Sequence, residues 1–293
     1  MVKNYLRFRR CIQFVWAALS NANLPGFVTG RIYSGKFKSL CLPGLNCYSC
    51  PGSLGSCPIG SLQAVLGSSA HRFSFYMLGF FLVIGTLLGR LVCGFLCPFG
   101  LVQELLNKIP FPLKIKTFAG DRKLRYIKYA VLLVFVILLP ITITDAVGGG
   151  SPWFCKLLCP AGTLEGGIPL LLSNPMLRKS AGFLFLFKAV ILIITLIGSI
   201  IICRPFCKYV CPLGAIYALF NKVSVYRYHI DKNTCTDCGK CENICPMNIK
   251  PQTETNHPEC IRCGACKSTC PLSAVSSGFK IGGDSQCSGC RQH

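Results

Sequence analysis

The chain has 293 residues, of which 22 are cysteines; 52% of its residues are hydrophobic, 14% are charged, and its formal net charge is +21. An ordinary soluble domain is about one quarter charged, so this composition excludes an ordinary cytosolic enzyme. The abundance of apolar residues excludes a disordered chain. Small secreted disulfide scaffolds are excluded as well, because they are usually shorter than roughly 100 residues. The remaining class is a membrane protein that uses cysteine as a metal ligand.

Four apolar segments are predicted to cross the membrane, for which about 20 helical residues are needed. Three of them, residues 73–91, 129–147 and 183–202, come close to this length. Pro140 predicts a kink in the second of the three. The segment 11–24 is shorter and turns polar at Ser20, so it is either a span or an interfacial or re-entrant segment.

The distribution of lysine and arginine predicts the orientation of these spans. Basic residues precede the first span and fill residues 108–128, so both regions are expected in the cytoplasm. The loops 25–72 and 148–182 are then expected outside. The chain after residue 202 returns to the cytoplasm, which makes this a multi-pass plasma-membrane protein with a cytoplasmic carboxy-terminal module. No nucleic-acid motif accompanies the basic run, and we expect it to face lipid.

The clearest motif is a repeated C-x2-C-x2-C-x3-C-P pattern near the carboxy terminus, which is the spacing of bacterial two-cluster ferredoxins. In such proteins the fourth cysteine of each motif ligates the other cluster. The first predicted [4Fe–4S] cluster uses Cys235, Cys238, Cys241 and Cys270. The second uses Cys260, Cys263, Cys266 and Cys245. Structural zinc is the alternative, but zinc sites use other spacings.

The tetrad Cys-Pro-x-Gly recurs four times upstream, beginning at Cys57, Cys97, Cys159 and Cys211. A further cysteine precedes three of these tetrads by four residues, namely Cys93, Cys155 and Cys207. Residues 97–108 align without gaps to residues 211–222, and residues 57–63 align to 159–165. The membrane domain, residues 1–228, is therefore predicted to contain two copies of one unit, about 1–110 and 111–228.

The predicted topology divides these cysteines between the two membrane faces. The inner site consists of Cys93, Cys97, Cys207 and Cys211, with Cys203 as a spare or substitute ligand. C-x3-C places two thiolates one turn apart on one helical face, and two such pairs supply the four thiolates of a cluster. The outer site consists of Cys57, Cys155, Cys159 and either Cys47 or Cys50.

Other interpretations of these cysteines remain open. Isolated thiols in apolar helices are usually packing residues, as we expect for Cys11. An oxidising compartment favours disulfides in the outer loops, where Cys41 also lies. Cys287 and Cys290 form a terminal C-x2-C in the tail, residues 277–293. The predicted fold is thus a mainly α membrane domain followed by an α+β ferredoxin-like module at residues 229–276.

The two Cys-x3-Cys-Pro motifs at 93–98 and 207–212, followed by the ferredoxin pair, resemble the polyferredoxin-type membrane proteins NapH and NosR. The resemblance implies electron transfer between the quinone pool or a cytoplasmic donor and a reductase system outside the membrane. Some relatives instead support maturation or regulation of a metalloenzyme. The chain departs from NosR-type proteins in lacking room for an extracytoplasmic flavin domain, and it adds the cysteine-rich loop 41–52 and a third motif at 155–160.

The sequence is therefore compatible with two functions. The first is an iron–sulfur wire through the membrane, which passes single electrons to a redox protein partner and acts as an electron-transfer subunit of an oxidoreductase system. The second is a membrane protein that senses redox state or iron, or assists metalloenzyme maturation, without conducting electrons across the membrane.

Overall fold

The computed structural model describes residues 2–68, 75–143 and 149–279. Cys287 and Cys290 lie outside these residues, as do parts of two predicted spans, residues 73–74 and 144–147. The described chain is mostly helical, with one two-stranded antiparallel sheet in the ferredoxin module. This agrees with the predicted fold class at the level of a mainly helical protein with ferredoxin-type modules.

The first half of the chain forms helices of very different lengths. They are α1 (Val2–Ser20), α2 (Leu24–Thr29), a 3-10 turn (Lys36–Ser39), α3 (Pro58–Leu66), α4 (Phe75–Leu88), α5 (Leu91–Phe95) and α6 (Pro98–Leu106). After a long loop come α7 (Asp121–Leu124) and α8 (Ile127–Val131), which continues through a π-helical segment (Leu132–Leu138) into α9 (Leu139–Thr142).

The second half begins with α10 (Trp153–Leu157), a π-helical segment (Gly162–Gly167), α11 (Ile168–Ser173) and α12 (Pro175–Lys179). The long helix α13 (Phe183–Ile201), α14 (Pro205–Tyr209) and α15 (Pro212–Phe220) follow. The module consists of β1 (Tyr226–Ile230), α16 (Lys240–Asn243), α17 (Ala265–Thr269) and β2 (Val275–Phe279).

Two helices of the described residues are long and apolar enough to cross a membrane: Asp121–Thr142, with a mean hydropathy of 2.1, and Phe183–Ile201, with 2.7. Helix α4 is apolar but has only 14 residues in the described part. Four spans are therefore not confirmed. Large apolar side chains of α13, such as Phe183 and Ile194, are exposed, as expected for a helix surrounded by lipid.

Helix α1 turns its polar side toward the protein. Arg9 and Gln13 are buried, and their side chains donate hydrogen bonds of 3.1 and 2.9 Å to the carbonyl oxygen of Gly94. Phe14 and Leu19 are exposed. Helix α1 is thus amphipathic with its apolar side outward, and it is not among the two candidate spans of the described residues.

The Cys-Pro bonds interrupt the helices that carry the paired cysteines. Cys93 lies within α5, whereas Cys97 has extended backbone angles and is the N-cap of α6. Cys211 has the same position before α15. The residue before proline disfavours helical geometry, while proline fits the first position of the next helix. The expectation that each pair shares one helical face is therefore wrong: the helix ends before the second thiol.

In the module, β1 and β2 pair antiparallel from Tyr226 opposite Phe279 to Ile230 opposite Val275. This sheet extends beyond the predicted limits 229–276 at both ends. Gly239 and Gly264 precede α16 and α17 with φ angles of +70° and +76°, a conformation that favours glycine. The two cysteine loops therefore turn in the same way.

The module lies directly against the cysteine motifs of the membrane domain. The Arg262 guanidinium donates to the carbonyl oxygens of Leu88 (3.0 Å) and Asn221 (2.8 Å). The Asn221 amide donates in turn to the carbonyl oxygen of Cys260 at 3.0 Å. A methyl group added to Gly94 would lie 2.3 Å from the carbonyl oxygen of Ile261. Only glycine allows this backbone approach.

We predict that Gly94→Ala destabilises the protein by about 2 kcal/mol, in the range of overpacking effects. The sign is informative because alanine normally stabilises a helix by about 1 kcal/mol relative to glycine. The matched control is Gly79→Ala in α4, where a methyl group meets nothing within 4 Å. Thermal unfolding of the detergent-purified proteins measures both changes. A Gly94→Ala protein at least as stable as wild type would contradict the described docking.

Candidate iron–sulfur sites

The inner site is built from two matching helix breaks. Cys97 and Cys211 cap α6 and α15, and their Sγ atoms accept hydrogen bonds from the backbone N–H groups of Gly100 (3.3 Å) and Gly214 (3.4 Å). Cys93 and Cys207 lie on the short helices before each break. All four cysteines of the inner site are buried. Backbone donors aimed at sulfur favour the thiolate, which is the form that ligates metal.

A glutamine joins the two halves of the inner site. Gln103 of α6 donates from Nε2 to Sγ of Cys207 at 3.2 Å. Its Oε1 accepts the backbone N–H of Phe206 at 3.2 Å. The ring of Phe206 packs edge-on against Phe99, with 5.3 Å between the ring centroids. A side chain of the first repeat therefore orients a cysteine of the second.

The outer site repeats this arrangement. Gln63 of α3 donates to Sγ of Cys155 at 3.3 Å and accepts the backbone N–H of Phe154 at 3.0 Å. Cys159 Sγ accepts from the backbone N–H of Gly162 at 3.3 Å. The same local sequence has thus produced the same contacts twice, once around each set of cysteines.

Of the two alternatives for the fourth outer cysteine, the structure brings Cys47 to the site. A methyl group on Gly166 would lie 3.3 Å from Cys47 Sγ. The partly buried Glu165 accepts the Cys47 backbone N–H at 2.8 Å. Burial raises the pKa of this carboxyl to about 7, although the hydrogen bond lowers it. Cys50 Sγ instead contacts Oδ1 of Asn21 at 3.6 Å. Of the two alternatives, Cys47 thus lies beside the turn of Cys159, whereas Cys50 turns toward the end of α1.

The loop that supplies Cys47 also passes beside the inner site. The Tyr217 hydroxyl, fully buried on α15, donates to the carbonyl oxygen of Pro43 at 3.1 Å. A methyl group on Gly44 would lie 2.5 Å from the carbonyl oxygen of Leu96. Burial raises the pKa of Tyr217, and nearby thiols, including Cys93 and Cys57, raise it further. Tyr217 thus lies between the two sites.

In the module, two cavities each collect cysteines from both motifs. One is lined by the four cysteines predicted for the first cluster, Cys235, Cys238, Cys241 and Cys270. The other is lined by the four predicted for the second cluster, Cys245, Cys260, Cys263 and Cys266. Each cavity thus has three thiols from one loop and one from the other motif, the donor set that a cubane cluster takes.

The remaining cysteines have different surroundings. Cys11 is exposed, and Cys41 Sγ lies 3.4 Å from the Ser61 hydroxyl and 3.6 Å from Sδ of Met77. Burial raises the pKa of Cys203 to about 11, with Cys263 and Cys207 among its electrostatic neighbours. No cysteine in residues 2–68, 75–143 and 149–279 takes part in a disulfide. In the same residues, no three His, Cys, Asp or Glu side chains converge on a position for a single metal ion.

Two carboxylates, the buried Glu259 and the partly buried Glu104, each pair with two cations around the inner site. Glu259, which directly precedes Cys260, pairs with Arg90 at 2.7 Å and with Lys128. Burial alone would raise the pKa of Glu259, but the two cations outweigh it and lower the pKa to about 2. Glu104 pairs with Arg9 at 2.6 Å and with Arg204 at 3.0 Å.

Residue-type patterns around cysteine did not identify these arginines or the bridging glutamines. A signal for them exists in the repeat. Arg90 and Arg204 each stand three residues before the first cysteine of a C-x3-C-P motif, and Gln63 and Gln103 each stand six residues after a Cys-Pro cysteine. Extending the repeat alignment beyond the cysteines would have found them.

Known protein families match the cysteine-containing segments of the chain. A family model described as a 4Fe-4S binding domain matches residues 70–117, 128–173 and 184–230, and a second model with the same description matches residues 228–250. Each of the first three segments contains one C-x3-C-P motif, at 93–98, 155–160 or 207–212. Each matched segment thus covers about half the length of one predicted repeat unit.

Several curated proteins are similar to the chain. An uncharacterized protein of Methanocaldococcus jannaschii is 32% identical over 57% of this chain and 63% of its own length. The putative electron transport protein YccM of Escherichia coli is 29% identical over 62% and 48%. The ferredoxin-type protein NapH of Haemophilus influenzae is 27% identical over 57% and 50%. The chain thus spans about half to three fifths of these relatives, and no solved structure matches it significantly.

These matches define the chain as an iron–sulfur protein of the ferredoxin type that binds [4Fe–4S] clusters. Three of the described cysteine sets fit that cofactor, since each module cavity is lined by four thiols and the four thiols of the inner site are buried. The chain is a NapH/NosR-like polyferredoxin, so the predicted resemblance is confirmed. Iron–sulfur electron transfer is the function that its relatives support.

Proposed function

We propose that the protein carries single electrons through the membrane between a redox protein or the quinone pool and an extracytoplasmic partner. Its own residues would hold four [4Fe–4S] clusters in series. These are the two module clusters, one at the inner site and one at the outer site. The observation that carries the proposal is that neighbouring cysteine sets are joined by direct contacts. The module contacts the inner site through Ile261 and Glu259, and the loop of Cys47 contacts the inner site through Tyr217.

The first step is entry at the module. Cys238, a ligand of the first proposed cluster, is exposed, whereas Cys263 of the second is buried. The first cluster is therefore the more accessible to a partner protein. A [4Fe–4S] cluster with four cysteine ligands exchanges one electron and has no open coordination position, so we assign no substrate chemistry to it.

The second step leads from the module to the inner site. The backbone of Ile261 lies against Gly94, the residue after Cys93. Glu259, beside Cys260, is paired with Arg90, three residues before Cys93. Backbone and ion-pair contacts thus join the two cysteine sets without an intervening layer of side chains.

The third step leads from the inner to the outer site along the helix Asp121–Thr142. Lys128, near its start, pairs with Glu259 of the module. Pro140, near its end, lies beside Gly150, which hydrogen-bonds to Gly67 at the end of α3. Twelve residues at 1.5 Å each advance by about 18 Å. Two helices pack along this length: α15, which begins after Cys211 of the inner site, and α3, which begins after Cys57 of the outer site.

The cross-ligation of the module clusters gives the first test. We predict that Cys235→Ser and Cys270→Ser perturb the same cluster, because both thiols line one cavity. Electron paramagnetic resonance of anaerobically purified protein should show the same altered signal in both variants. Cys260→Ser is the matched control and should alter the other signal. If Cys270→Ser changed the signal that Cys260→Ser changes, the ligand assignment would be wrong.

The inner cluster gives the second test. Replacing Cys97 and Cys211 together by alanine should remove about four iron atoms per chain, one cluster's worth. Both module signals should remain, and electron transfer across the membrane in reconstituted vesicles should stop. The control is Cys11→Ala, because Cys11 is exposed.

Unchanged iron together with unchanged transfer in the double variant would show that Cys97 and Cys211 are packing residues rather than cluster ligands. If the wild-type protein itself holds only about 8 iron atoms, two clusters' worth, and transfers no electrons across the membrane, it is a ferredoxin tethered to a membrane anchor, and a sensing or maturation role is the better account. Loss of both module signals would instead show that these cysteines support folding, which the electron-transfer proposal does not predict.

The orientation of the chain gives the third test. We predict that the module faces the cytoplasm and that the loops around the outer site face outward. A reporter active only after export should be inactive when fused after Gly278 and active when inserted near Ser68. The reverse pattern would overturn the assignment of the outer site to an extracytoplasmic partner.

A further inference from the structure

Two fully buried arginines occupy equivalent positions beside the inner site. Arg90 and Arg204 have no exposed surface, and each stands three residues before the first cysteine of its motif. Their side chains reach across to the opposite repeat. The position of a methyl group on Gly214 is 3.3 Å from Nη2 of Arg90, and that on Gly100 is 3.1 Å from Nη1 of Arg204. The Arg90 guanidinium thus lies against the first turn of α15, and the Arg204 guanidinium lies against the first turn of α6.

Both arginines keep donors without a protein partner. Nε and Nη2 of Arg90 and Nε of Arg204 are buried and have no hydrogen-bond partner within the described chain. Nη2 of Arg204 lies 3.0 Å from Glu104 but is out of line for a hydrogen bond. Buried donors are almost always satisfied in native proteins. Orphaned donors beside buried cysteines therefore indicate an acceptor that the protein atoms do not supply.

The inner site lies between two groups of ionised side chains, and the net charge of each group is positive. Glu259 is shared by Arg90 and Lys128, and Glu104 by Arg204 and Arg9. Each group of two cations and one carboxylate keeps one net positive charge. A [4Fe–4S] core with four thiolates is an anion that gains a further negative charge on reduction. Positive charge beside it therefore favours the reduced form.

The outer site lacks this arrangement. The residue three positions before Cys155 is Pro152, and Glu165 occupies the position that corresponds to Gln63 in the second repeat. Glu165 is partly buried and accepts a hydrogen bond from the backbone N–H of Cys47. Lys188 acts electrostatically on Cys155, but no arginine stands three positions before Cys155.

We propose that Arg90 and Arg204 donate hydrogen bonds to the sulfur atoms of the inner cluster and, with their positive charge, hold its reduction potential above that of the outer cluster. Hydrogen bonds to sulfur and net charge are the factors by which a protein sets cluster potentials. This inference rests on the inner cluster of the proposed function. The two arginines do not exchange electrons themselves. By raising the reduction potential of the inner cluster, they would make it the cluster on which an electron that enters from the module is most stable.

The test is a redox titration of the anaerobically purified full chain, followed by electron paramagnetic resonance. The inner signal is the one that the Cys97 and Cys211 double variant lacks. Arg204→Gln should keep the wild-type iron content and shift the reduction equilibrium of that signal at least tenfold toward the oxidised form, which is 59 mV for a one-electron couple. Arg204→Lys, which keeps the charge but not the planar fork of donors, should shift it less in the same direction.

Arg9→Gln is the matched control. Arg9 shares Glu104 with Arg204, so Arg9→Gln removes the same positive charge, but its other hydrogen bond goes to the carbonyl oxygen of Gly94. The inner signal should therefore move less in Arg9→Gln than in Arg204→Gln. An Arg204→Gln protein with full iron and an unmoved inner signal would overturn the inference. If that variant loses iron, Arg204→Lys decides: a shift supports the inference and an unmoved signal refutes it. A wild-type protein without a signal assignable to Cys97 and Cys211 refutes the proposed function, and the arginine assignment with it.

Discussion

The Cys-Pro bond is the constraint on which the membrane domain depends. Proline removes the backbone donor that would continue a helix and bars helical geometry at the residue before it. Cys97 and Cys211 are therefore forced into extended backbone, where each caps the helix that follows. The glycine two residues after the proline then points its N–H at the thiol. One covalent feature thus ends a helix, starts another and orients a ligand.

The second consequence is that the repeats complete each other. A Cys-Pro turn is too short to surround a cofactor, so each unit sends a side chain across to its neighbour. Gln63 and Gln103 do this with hydrogen bonds to Cys155 and Cys207, and Arg90 does it with a buried charge. Glu259 then couples this assembly to the module by pairing with Arg90. Breaking such a buried pair by removing one partner costs about 3 to 5 kcal/mol, so module and membrane domain are expected to hold together.

The sequence was sufficient for the features that follow from spacing alone. The module motifs, the Cys-x3-Cys-Pro repeats and the cofactor class were all predictable, because short spacings leave the chain few ways to fold. It was insufficient where the answer depends on which element packs against which. The inward polar side of α1 depends on the carbonyl oxygen of Gly94, 81 or more residues away in the chain. The approach of Cys47 to the outer site depends on Glu165, another long-range partner.

The central claim, that the membrane domain carries clusters in addition to those of the module, is tested most directly by counting iron and acid-labile sulfide in anaerobically purified wild-type protein. Four clusters predict about 16 iron and about 16 sulfide per chain, since each cubane holds four of each. A value near 8 of each, with only the two module signals in electron paramagnetic resonance, would contradict the account.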